Sequence, residues 1–171
     1  MAEFDQTIRV HPCKGLSGSL LPPSSKYHTL RYLLAAFLAE GESMVNYPAL
    51  SDDTTALLAA CRALGAHIEE QIQPDGRVIL RVQGTGGILR VPENGEISMG
   101  NAGAVTRLLI GICSLAPTAI TLTTPHPESL GKRPNADLLA ALEQLGVDVQ
   151  SATPEGTLPV TLNGARLHGG R

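Results

Sequence analysis

The feature that most narrows the fold is an internal repeat. ALLAACRALGAHIEE (Ala56–Glu70) resembles DLLAALEQLGVDVQS (Asp137–Ser151) at an offset of 81 residues, and PDGRVILRVQG (Pro74–Gly84) aligns with PEGTLPVTLNG (Pro154–Gly164) at an offset of 80. Arg31–Leu50 matches Arg107–Leu130 more loosely, and the three pairs keep the same order. A unit of roughly 80 residues used twice is longer than the common solenoid repeats.

Each copy has the same grammar. An apolar helix (about Lys26–Ala39, and Ala104–Leu115) is followed by a short alternating strand, SMVNY or AITLT. A loop rich in Ser, Asp and Pro leads to a second helix near Thr54–Leu64 or Asn135–Leu145, which stops at Leu-Gly, with Gly65 and Gly146 as its C-terminal caps. Strands AHIEEQI and VDVQSA come next, then turns at PDG and PEG, then strands RVILRV and LPVTL. With GSLL (Gly18–Leu21) or GEISM (Gly95–Met99) as opening strand, each unit reads β-α-β-α-β-β. The predicted class is mixed α/β, with two helices per unit packed on one face of a mixed sheet. The division is a lead-in over 1–17, a first unit over 18–90 and a second over 91–171, together forming one incomplete domain. Leu33, Leu34, Ala36, Phe37 and Leu38 nearly surround their helix, so two copies are expected to leave some helix faces uncovered, for a dimer partner or a complementary chain.

The totals exclude several classes. A net charge of −3 without any Lys/Arg run argues against a nucleic-acid partner. MAEFDQT lacks a basic and then apolar signal pattern, and LLIGICSLAPTAITL, broken by Pro117, falls short of a membrane span. The 3 cysteines are widely spaced, which suits a reducing cytoplasm, and Cys61 and Cys113 read as small buried hydrophobes. The 5 histidines have no ligand spacing, so no metal or other cofactor is expected.

The chemistry gathers at equivalent points of the two units. Before the first helix stand Ser24, Ser25 and Lys26, with Arg31 one turn on; cations are unfavourable at a helix N-terminus unless an anion is to arrive. The matching loop of the second unit is MGNAGAVTR, where glycines around Asn101 let backbone N–H groups approach an anion and Arg107 falls where Arg31 falls. In SLGKRPNADLL, Lys132 and Arg133 precede Pro134, a residue suited to the first helical position, and Arg supplies a planar fork for carboxylate or phosphate. LSDDTTALL reads first as N-capping by Ser51, Asp52 and Asp53, with a polar-site role for one Asp as the alternative. GTGG at Gly84–Gly87 reads as a connection between units.

GLSGSLLPPSSKYHTLR (Gly15–Arg31) resembles, without a gap, the N-terminal signature of the EPSP synthase (3-phosphoshikimate 1-carboxyvinyltransferase) family. LSDDTTALLAACRALGA, MGNAGAVTRLL and SLGKRPNADLLAALEQLGV are similar to three further segments of that family, in order. The resemblance implies the enolpyruvyl transferase fold, two domains of three β-α-β-α-β-β units with the site between them, of which this chain holds two units from the N-terminal portion. It implies transfer of the enolpyruvyl group of phosphoenolpyruvate to shikimate 3-phosphate, in the shikimate pathway. By position, Lys26 contacts both substrates and Arg31 binds shikimate 3-phosphate. Asn101 and Gly103 belong to the phosphoenolpyruvate (and glyphosate) loop, and Arg133 clamps phosphoenolpyruvate. The family's acid/base residues lie outside this stretch, so no catalytic residue is assigned and the chain alone is expected to bind anions weakly without turnover. Departures are Ser24 for Gly, Ala104 for Thr, Leu108 for Pro, and Tyr27 for the Ser that touches the shikimate phosphate. Two alternatives remain: a transferase acting on UDP-N-acetylglucosamine, toward which GKRP leans, and a non-catalytic anion-binding or assembly module.

Overall fold

In the computed structural model, residues 8–164 and 167–169 are described; MAEFDQT lies outside them. The first unit runs α1 (Lys26–Leu38), β1 (Glu42–Asn46), α2 (Asp52–Ala63), β2 (His67–Ile72) and β3 (Val78–Gln83). The second runs β4 (Glu96–Ser98), α3 (Gly103–Cys113), β5 (Ile120–Thr123), a 3-10 turn at Leu130–Lys132, α4 (Ala136–Gln144), β6 (Asp148–Ser151) and β7 (Val160–Asn163).

The two sheets share one plan. The first has the order β1-β3-β2, all antiparallel; the second has β4-β5-β7-β6, in which β4 lies parallel to β5 and the other pairs are antiparallel. Val45 faces Leu80 as Leu122 faces Val160, so the 80-residue offset is also a match of strand register. Period-2 alternation places Leu80 and Val82, and Val160 and Leu162, on the buried face of each sheet. Both second helices close with a glycine at positive φ, Gly65 (110°) and Gly146 (95°). The next residue, Ala66 or Val147, donates its N–H five residues back, to Cys61 or Leu142. The glycine after the last strand of each unit is required by contact instead. A Cβ at Gly84 would sit 2.2 Å from the carbonyl oxygen of Ala39, and one at Gly164 2.4 Å from that of Ala116. GTGG is therefore more than a connection: Thr85 and Gly86 donate to the carbonyls of Phe37 and Ala39 and cap the end of α1.

One hydrophobic cluster spans both sheets, with Leu30, Phe37, Leu57, Leu64, Leu109 and Ile110 fully enclosed. Leu30, Leu33 and Phe37 of α1 and Leu57 and Cys61 of α2 are buried, while Leu38 of α1, Ala56 of α2 and Ala104, Leu108 and Ile112 of α3 are half-buried and Tyr32 of α1 is 63% exposed. Cys61 and Cys113 are buried, and loss of water pushes both thiols up to about 12. No helix among the described residues is long and apolar enough to cross a membrane.

Two expectations are overturned. Gly18–Leu21 is not a strand: the segment is exposed and unpaired, with Leu20 and Leu21 in solvent. The reason lies in the alignment of Arg31 with Arg107, which sets Pro23 against Met99. Met99 donates its N–H to the carbonyl of Thr123 and so extends the β4–β5 pairing, whereas proline has no N–H to give. Nor does Pro134 open a helix: Asn135 is the capping position and α4 begins at Ala136. Asn135 and Ala136 both donate their N–H groups to Glu155, and Asn135 Nδ2 bonds Gly156 O, so the PEG turn rather than proline sets the helix start.

Candidate anion-binding site

In the first unit the site begins at the cap of α1. Ser25 accepts the N–H of His28, which leaves Lys26 as the first helical residue. Lys26 Nζ lies 2.9 Å from Asp53 Oδ2. Asp53 is in the first turn of α2, where a carboxylate suits the helix dipole, and Ser51 caps that helix by accepting from the N–H of Thr54. Capping and a polar-site role are thus both present in LSDD, on different residues. The hydrogen bond to Asp53, reinforced by its charge, holds the Lys26 ammonium above its ordinary pKa, so Lys26 stays charged throughout the neutral range. Tyr27 is 61% exposed with two cations around it: Lys26 Nζ is 5.7 Å and Arg31 Cζ 6.0 Å from its ring centre. Arg31 bends back, donating through Nη1 to the carbonyl of Tyr27 at 2.9 Å.

The second unit builds its helix start differently. Gly100, at φ 53°, turns the chain out of the sheet, and α3 opens at Gly103 behind Ala102, with no side-chain cap. The first N–H groups of α3 therefore lack the side-chain acceptor that Ser25 provides in α1. The Arg133 guanidinium rests on this helix start, where a Cβ on Gly103 would displace it. Asn101 Oδ1 accepts from Ser129 Oγ at 3.1 Å, tying the loop to the segment that carries Arg133. Arg107 does not join this cluster. Its Nη2 donates to the carbonyl of Pro134, and it lines a groove of about 530 Å³ with Asp137 and Glu155, where two carboxylates discourage an anion.

The two halves meet across α2. A Cβ on Gly100 would touch the Ala56 side chain at 3.4 Å, and Ala56 is one turn along α2 from Asp53. The structure thus brings Asn101, Gly103 and Arg133 together, sets Lys26 beside Tyr27, and connects the groups through Asp53 and Ala56. One participant was missed in the sequence: Ser129 carries no signal of its bond to Asn101. For Asp53 the sequence offered a polar role beside capping but nothing of its partner, Lys26. Tyr47, read as the end of a strand, instead has φ 54°. It is held by the N–H it gives to Val78, by Ser24 Oγ on its carbonyl, and by Arg77 stacked 4.0 Å from its ring.

The model of the family EPSP synthase (3-phosphoshikimate 1-carboxyvinyltransferase) matches residues 10–171. The chain belongs to the EPSP synthase family. It is 44% identical over 164 residues to the 3-phosphoshikimate 1-carboxyvinyltransferase of Deinococcus radiodurans, covering 95% of this chain and 34% of that protein. Against the Methanosphaera stadtmanae protein of the same name it is 40% identical over 157 residues, covering 92% of this chain and 35% of the other. The solved EPSP synthase of Acinetobacter baumannii superposes with a TM-score of 0.78 at 30% identity, over 89% of this chain and 33% of that one. The chain spans about a third of the length of the curated relatives it matches.

Proposed function

We propose that this chain contributes one part of the substrate site of an enzyme that transfers the enolpyruvyl group of phosphoenolpyruvate to the 5-hydroxyl of shikimate 3-phosphate. It acts in the cytoplasm and is completed by polypeptide beyond these two units. Residues 18–90 and 91–171 are then two units of one domain that follows a lead-in at 1–17. The observation that carries the reading is the Arg133 guanidinium lying on Gly103 at an uncapped helix start. A planar cation and free N–H groups converge there on one point, a geometry suited to a carboxylate or phosphate.

The roles follow from this placement. Arg133, Gly103 and Asn101 receive phosphoenolpyruvate, and Lys26 reaches both anionic substrates by exchanging its bond to Asp53 for one to substrate. Arg31 and Tyr27 face shikimate 3-phosphate. The contribution of this chain is positioning and stabilisation of charge; the proton transfers belong to groups outside it.

The test is phosphate release from phosphoenolpyruvate and shikimate 3-phosphate, measured with the chain alone and with the remaining two thirds of the Deinococcus radiodurans relative. Release only in the mixture is the expected result. In that active mixture Lys26→Ala lowers kcat/KM by about 10²–10³-fold, as for loss of one preorganised charge contact. No release after complementation leaves the anion-binding module; undiminished release with Lys26→Ala removes Lys26 from the site.

A further inference from the structure

The two helix starts that carry the candidate ligands are tied down by the same bond with its ends exchanged. In the first unit Ser24 Oγ donates to the carbonyl of Tyr47; in the second Thr124 Oγ1 donates to the carbonyl of Gly100. The positions correspond. Aligning Arg31 with Arg107 sets Ser24 on Gly100, and the register that matches Val45 to Leu122 sets Tyr47 on Thr124. In each pair the residue that accepts is the one in the left-handed region, with φ 54° at Tyr47 and 53° at Gly100. Glycine takes that conformation freely, whereas Tyr47 is, among the described residues, the only one with a Cβ that does. Strain of this kind persists where the surroundings impose it. Arg77 helps to impose it, 4.0 Å from the Tyr47 ring centre, while its own Nε donates to Asp75 Oδ2 at 2.7 Å.

Around the first latch the loop is stitched to both helices of its unit. Ala49 donates its N–H to Thr29 Oγ1 of α1 and accepts from Thr54 Oγ1 of α2, and both threonines are buried. No hydrogen bond among the described residues involves 8–23, so Ser24 is where the chain is first held before Lys26. In the second unit Thr124 also accepts the His126 N–H at 3.0 Å, at the head of the segment that leads to Ser129 and Arg133. We infer that Ser24 and Thr124 are positioning residues: the first fixes the backbone that presents Lys26, the second the turn that presents Asn101 and Gly103. The inference rests on the proposed function only in taking those residues to meet substrate. Each hydroxyl spends its one proton on a carbonyl, so neither acts on substrate directly. The first latch matters most once Lys26 leaves Asp53 for substrate, because the mounting of its backbone then decides where the ammonium can reach. A displacement of about 1 Å in such a mounting is enough to cost rate.

The experiment uses the 171-residue chain, alone and mixed with the remaining two thirds of the Deinococcus radiodurans relative. In the active mixture Thr124→Val is expected to raise the KM for phosphoenolpyruvate about fivefold, as for loss of one hydrogen bond, with the KM for shikimate 3-phosphate unchanged. Ser24→Ala is expected to raise both KM values about fivefold, since Lys26 reaches both substrates. Ser24→Thr and Thr124→Ser keep the hydroxyls and are expected to restore the parent values. In the chain alone, the lysine ε-carbon resonances come from Lys14, Lys26 and Lys132. Ser24→Ala is expected to shift that of Lys26, and Thr124→Val to leave it in place. KM values unmoved by these substitutions, both KM values rising alike for Thr124→Val, failure of the hydroxyl-keeping variants to rescue, or a Lys26 resonance indifferent to Ser24→Ala overturns the inference. Phosphate release absent from every mixture, with the Lys26 resonance shifted by Ser24→Ala alone, overturns the function and supports the latch.

Discussion

The two units carry one backbone plan into different chemistry. At the start of the first helix, position 27 is Tyr in the first unit and its aligned partner, position 103, is Gly in the second. Where the side chain is absent, Arg133 lies down on the helix start; where a phenol stands, it occupies the ground between Lys26 and Arg31. Capping differs in the same sense. Ser25 closes α1 with a side chain, whereas α3 is left without one. The turns between the last two strands diverge too: a Cβ at Gly76 meets nothing within 4 Å, and one at Gly156 would lie 2.8 Å from Ala136 N and 2.9 Å from Leu139 Cδ1. The second PEG turn is thus a brace for the segment bearing Arg133, while the first PDG turn is free and sends Arg77 to Tyr47. A repeat conserves what the core demands and leaves helix starts and turns to be reassigned.

That comparison is open to direct attack. The largest effect is expected from the turn glycines. Both have positive φ (80° at Gly76, 72° at Gly156), so alanine costs about 1–2 kcal/mol at either. At Gly156 the clash with α4 brings the total to about 3 kcal/mol. Urea unfolding of Gly76→Ala and Gly156→Ala measures this difference, and equal losses break the bracing account. Next is Gly103→Ala, which displaces the Arg133 guanidinium. In the complemented enzyme the KM for phosphoenolpyruvate should rise about tenfold, with melting nearly unchanged, as for loss of one charge-assisted contact.

Smaller effects follow. Tyr27→Ser clears the space between the two cations and is expected to tighten shikimate 3-phosphate binding a few-fold, read by calorimetry; unchanged or weaker affinity refutes the assignment of that space. The smallest concerns the thiols. With Cys61 and Cys113 held at about 12, both stay protonated at pH 8, and only exposed Cys13 should react promptly with a thiol reagent. Because the folded state raises these two pKa values, their protonated forms favour folding below the unfolded thiol pKa of about 8.5. Stability is lost as pH rises from there toward the folded value, which denaturation at alkaline pH will register.

Much of the fold was legible because its signals are local. Leu-Gly ended both second helices, since Gly65 and Gly146 alone tolerate the required φ without strain, and alternation in RVILRV placed Leu80 and Val82 inward. GSLL misled because its apolar pair suggested a strand, while pairing depends on a partner edge and on the N–H that Pro23 lacks where Met99 has one. In the site, the motifs marked Lys26, Arg31, Asn101, Gly103 and Arg133. Their spacing did not reveal that Arg31 folds back on Tyr27, nor that Arg107 faces two carboxylates.

By itself the sequence determined the repeat, the helix ends and the kinds of charge at each loop, because these depend on neighbours within a few residues. Tertiary structure decided that Lys26 meets Asp53, that Arg133 covers Gly103, and that β1 keeps an unpaired edge. Those contacts join residues 27 or more positions apart, and their existence depends on how two sheets and α2 stack, which no local pattern encodes.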